Sequence, residues 1–109
     1  MGDGRLPTHL LIDATTAELT KKGIHYYIPH RGDPTTGLIL VHLNNLSGEN
    51  ILLTQQRDLD GNLKWQKIHS EEVLDNIQVS EKIEKHLSFD DDLWVVEIED
   101  RGMCNPFEV

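Results

Sequence analysis

Four runs between residues 24 and 68 are rich in β-branched and aromatic residues and separated by turn chemistry. They are IHYYIPH (24–30), LILVHLN (38–44), ILLTQQ (51–56) and LKWQKI (63–68), with RGDPTTG, NLSGEN and RDLDGN between them. Such runs are strands. The first two predict their own register. If His30 pairs with Gly37, then Ile28 faces Ile39, Tyr26 faces Val41 and Ile24 faces Leu43, so one face of the hairpin is wholly apolar. A slip of one residue would destroy that stripe. The opposite face then carries Tyr27 against Leu40 and His25 against His42. Asp60-Gly61 is a strong hairpin signal, so the four strands read as a meander.

Helical spacing flanks this block. Residues 8–22 place Leu10, Leu11, Ala14, Ala17 and Glu18 at helical intervals, with Thr8 as cap and Gly23 as terminator. Residues 70–78 are ambiguous, and Ser80 is the expected cap of a short helix through His86 or Leu87. The last strand, 93–99, puts Trp94, Val96 and Ile98 on one face and Leu93, Val95, Glu97 and Glu99 on the other. The second face starts apolar and turns acidic, as in a strand covered at its start and open to water at its end. The expected fold class is α+β, one domain over residues 1–109. Its order is helix, four strands, helix, strand, with a mostly antiparallel five-stranded sheet and both helices packed on one face.

Charge narrows the partners. Residues 70–109 hold twelve acids against three Lys or Arg and carry the whole net charge of −9. A surface that neutralises phosphates must be basic, so nucleic acid and anionic membrane surfaces are poor partners. No apolar run reaches membrane-spanning length. The opening residues show no basic start and apolar stretch of a secretory leader, and the single cysteine, Cys104, cannot form an internal disulfide. A cytoplasmic location is therefore expected.

Two stretches resemble a known family. HRGDPTTGLILV contains Arg31, Gly32, Asp33 and Gly37, and FDDDLWVVEIEDR spans Phe89 to Arg101. Both are similar to motifs of the alphaproteobacterial DUF1491 family, domain of unknown function 1491. His30 stands where that family often has arginine, and Asp91 where it usually has proline. The resemblance implies a fold and an alphaproteobacterial source, and brings no activity or cofactor with it.

The candidate chemistry is sparse. His25 and His42, if paired across the hairpin, present two imidazoles, and Glu97 or Glu99 would join them to make a divalent-metal site if the last strand lies alongside. Arg31 is placed to bridge Asp33, Glu97 or a ligand carboxylate. No nucleophile constellation, phosphate loop or dinucleotide fingerprint is present. Arg31, Asp33, Asp92, Trp94, Glu97 and Glu99 are thus expected to form a ligand or partner surface. The leading expectation is a non-catalytic interaction or scaffold module, with a basic protein partner or a homo-oligomer. The alternative is a divalent-metal-binding protein or metal-dependent hydrolase built on the face of His25 and His42 and the C-terminal carboxylates.

Overall fold

The computed structural model describes residues 6–108. Residues 1–5, on which the reading of the leader partly rests, and residue 109 lie outside the described residues. The elements run α1 (Thr8–Lys21), β1 (His25–His30), β2 (Ile39–Asn44), β3 (Asn50–Arg57), β4 (Leu63–Lys67), α2 (Asn76–Phe89) and β5 (Trp94–Glu99). The α+β class and the order along the chain agree with the sequence reading. The sheet does not.

The strand order is β1-β5-β2-β3-β4, so β5 occupies the slot between β1 and β2. β1 pairs antiparallel with β5, and β5 pairs parallel with β2, in register Ile39 with Trp94 through Asn44 with Glu99. The sheet is therefore mixed, and the expected hairpin of residues 24–30 with 38–44 is not formed. The reason lies in β5 itself. Leu93, Trp94, Val95 and Val96 form a continuous apolar run and all four are buried, so this segment hides both faces only in the middle of a sheet. β1 carries Pro29, which has no N–H to donate and suits an edge. Inserting one strand leaves the parity intact. Ile24, Tyr26 and Ile28 still share a face with Ile39, Val41 and Leu43, although they are no longer neighbours.

The helices cover opposite faces, a second correction. α1 lays Ile12 and Leu19 on the face of Ile39, Val41, Leu43, Trp94, Val96 and Ile98. α2 lays Val79, with Ile83 and Leu87, on the other face against Leu40, Leu52, Leu93 and Val95. Five strands with apolar residues on both sides need a cover on each. The buried stripe of α1 is Thr8, Ile12, Thr16 and Leu19, while Leu10 is exposed. Threonine is tolerated inside because its hydroxyl is satisfied by the helix: Thr16 Oγ1 donates to the Ile12 carbonyl at 2.8 Å. Helix α2 begins earlier than expected. Asp75, not Ser80, is the cap: its carboxylate accepts the Gln78 N–H at 2.8 Å and the Gln78 side chain accepts the Asp75 N–H at 2.9 Å. That reciprocal pair is a capping box.

Candidate functional site

The residues expected to form one surface fall into two places. The first is an interlock between the 31–37 loop and the start of β5. This loop leaves β1, arches over the beginning of β5 and enters β2. A Cβ at Gly32 would lie 2.0 Å from the Asp92 carbonyl oxygen, and one at Gly37 would lie 2.5 Å from the same atom. Only glycine permits that approach. The Asp33 N–H donates to the Asp92 carbonyl at 2.9 Å, and Trp94 Nε1 donates to the Asp33 carbonyl at 2.7 Å. The Asp33 carboxylate turns inward on its own loop, accepting the N–H groups of Thr35 and Thr36 at 2.9 and 2.8 Å. Those backbone donors, Thr36 first, hold its pKa below the ordinary carboxylate value. Arg31 stacks over the Trp94 ring, 5.2 Å from its centroid, and makes no ion pair among the described residues. Thr8 Oγ1 ties the start of α1 to the same loop through the Gly37 carbonyl at 2.7 Å. Arg31, Asp33 and Trp94, and Asp92 through its carbonyl, are accounted for by packing.

The second place is an open shelf. α2 covers the first half of β2 and β5, where its apolar contacts end at Leu40 and Val95. Beyond them the same face carries two rows of polar residues across three strands. Tyr27, Glu97 and His42 stand side by side in one row, and His25, Glu99 and Asn44 in the next. Tyr27 is 51% exposed, and Glu97 and Glu99 are half-buried. Among the described residues neither glutamate pairs with a cationic side chain. Glu97 accepts one bond, from Asn44 Nδ2 at 3.3 Å. Lys64 sits on the far edge strand and pairs with Asp58.

The histidines are not neighbours, because β5 runs between them. His25 is exposed beside Glu99. His42 is buried, and its Nε2 lies 2.7 Å from Asn50 Oδ1. Asn50 Nδ2 donates to the Leu74 carbonyl and to Asn76 Oδ1, so its oxygen must accept from His42. Among the described residues, the one group of three ligand atoms close enough for a shared ion is Asp90, Asp91 and Asp92, all exposed. Asp90 Oδ1 already accepts the Asp92 N–H at 3.1 Å, which is turn chemistry. Sequence reasoning did not place Tyr27 or Asn44 at the site. The signal for both was parity, since they fall on the face of Glu97 and Glu99 once the strands are set side by side.

A cavity of about 640 Å³ lies elsewhere, between the start of α1, the 31–37 loop, the end of β3 and the start of β4. Its lining is Leu6, Leu11, Leu38, Ile39 and Leu63 with threonines, Gln55, Pro7 and Gly37, with no ionisable side chain among the described residues.

Comparison with known proteins agrees with this fold. The chain is similar to a DUF1491 family protein from Caulobacter crescentus CB15, whose crystal structure superposes with a TM-score of 0.79 at 25% identity over 94% of each chain. The NMR structure of a DUF1491 protein from that organism gives 0.80 at 24% identity, over 93% of this chain and 91% of that one. A solution structure of a protein from A. tumefaciens gives 0.72 at 20% identity, over 87% and 86%. No curated protein matches. The model of the DUF1491 family, described as proteins of unknown function, matches residues 6–108, and the chain belongs to that family.

Proposed function

We propose that this protein is a non-catalytic interaction module that receives a basic segment of a protein partner on the shelf of Tyr27, Glu97 and Glu99. The observation that carries the reading is the pair of glutamates on β5, adjacent on one face, without a cation among the described residues, and flanked by an exposed tyrosine ring. Carboxylates and an aromatic face together suit lysine or arginine: the acids supply charge, and the ring a cation–π surface. Two carboxylates about 7 Å apart repel by roughly 0.6 kcal/mol in water and more as water is excluded. A cation laid between them reverses the sign of that term. The net charge of −9 also steers a basic partner and disfavours a second copy of this chain on the same surface.

A catalytic reading has less support, because the described residues lining the cavity beside α1 offer no group for acid–base work. A divalent cation is the second reading, and it rests on Asp90–Asp92 rather than on His25 and His42. No helix among the described residues is long and apolar enough to cross a membrane. A cytoplasmic location belongs to the same proposal.

Amide NMR during titration with an octalysine peptide tests the reading. Shifts should concentrate at residues 25–27, 44 and 97–99 and weaken with added salt. Shifts confined to 90–92, or scattered over every acidic stretch, would show that the shelf is not a site.

A further inference from the structure

We infer that His69 is a pH-sensitive latch, whose neutral imidazole fastens the connection between β4 and α2 to β3 and whose protonation at Nε2 releases it. The argument starts from a buried ring with both nitrogens engaged. His69 Nε2 accepts the Leu52 N–H at 3.1 Å, and Nδ1 lies 2.8 Å from the Glu71 carbonyl. A carbonyl only accepts, so Nδ1 carries the proton and Nε2 the lone pair. The ring stands in for a strand carbonyl where the β3–β4 ladder ends. The neighbouring Ile68 N–H donates to the Leu52 carbonyl at 3.1 Å, so Leu52 is bonded on both sides by the start of this connection.

A second proton on the ring turns the acceptor into a donor aimed at another donor. Water cannot readily repair the clash, because His69 is 8% exposed and Leu52 is fully buried. The charged groups facing the ring are Lys67 from β4, Lys82 from α2 and Glu71 from its own connection. The two lysines oppose a cationic ring and Glu71 favours one. Burial is the largest influence and holds the ring's pKa below its ordinary 6.5.

Release would act on one segment. The far end of the connection is held separately by Asn50, which exchanges backbone bonds with Leu74 at 3.0 and 2.7 Å. Residues 68–73 therefore loosen before α2 does, and the sheet, which is built from other bonds, stays closed. At neutral pH the latch is shut. In acid it opens.

The test is amide hydrogen exchange on the whole chain between pH 8 and 5, corrected for intrinsic rates, with the His69 ring followed by NMR in the same samples. Below about pH 6.5, Leu52 should lose protection by up to tenfold per pH unit until His69 is protonated in the closed state. Val41 and Val96 should keep theirs. His69→Gln, whose side-chain oxygen can accept the same N–H without titrating, should abolish the pH dependence. Protection at Leu52 that is flat with pH would overturn the inference. So would a loss shared equally by all strands, or a midpoint that follows His86 or His42 rather than His69. The wild-type profile and ring titration decide the matter even if the variant fails to fold.

Discussion

At the residue scale, Gly32 explains more of the molecule than any candidate ligand does. Its missing side chain lets the 31–37 loop lie on the Asp92 carbonyl, and the clash is with backbone, which cannot swing away. Gly32→Ala should cost about 2–3 kcal/mol in urea denaturation. Gly102→Ala, where the nearest atom to the new Cβ is 3.6 Å away, should stay within about 0.5 kcal/mol. The sequence marked Arg31, Gly32 and Asp33 as a motif but did not show what the glycine touches, since Asp92 is distant in the chain. A second residue-scale effect comes from His69 and His86, whose pKa values are lowered chiefly by burial. The unfolded chain takes up these protons near 6.5 and the folded one only at lower pH. Their contribution to stability is complete above about 6.5 and is lost as pH falls through the folded values. The urea midpoint should therefore drop between pH 7.5 and 5.5, and drop less in His69→Gln. An unchanged midpoint would contradict the burial of both rings.

At the element scale, the start of α2 separates two readings of one stretch. Asp75 and Ser80 are both good caps by type, and Asp75-Asn-Ile-Gln78 spells a capping box. What selects Asp75 is tertiary. Asn50 clamps Leu74 in an extended bridge, so the chain can turn into a helix immediately after it. Asp75→Ala should cost about 1 kcal/mol. Ser80→Ala, inside the helix and exposed, should be neutral or slightly stabilising on the same denaturation curve. Equal losses at both positions would mean that the box does not set the helix start. The stripe of α1 was misread for a related reason. Apolar periodicity favours Leu10, and it does not register threonines whose hydroxyls are satisfied, Thr16 by its own helix and Thr8 by the Gly37 carbonyl.

At the scale of the whole molecule, parity was legible and adjacency was not. Alternation along β1, β2 and β5 assigned side chains to faces, and an inserted strand leaves those assignments unchanged up to the irregularity in β1 between Tyr27 and His30, after which His30 stands beside Val95. The partner of each strand depends on contacts far apart in sequence, such as Ile39 with Trp94, for which local pattern holds no signal beyond the unbroken apolar run of β5. The same insertion separates His25 from His42 and places Glu97 and Glu99 between Tyr27, His25, His42 and Asn44. Function thus turns on whether that shelf binds a cation-bearing partner or is merely part of an acidic surface. The deciding measurement is the calorimetric Kd for an octalysine peptide at low salt, taken for the wild type, Glu97→Gln/Glu99→Gln and Asp91→Asn/Asp92→Asn. The two variants remove the same charge. If the shelf is the site, the first weakens binding about tenfold, roughly 1.4 kcal/mol, and the second less than about twofold. Equal weakening by both would mean that only the net charge is felt, and the proposed function would fall.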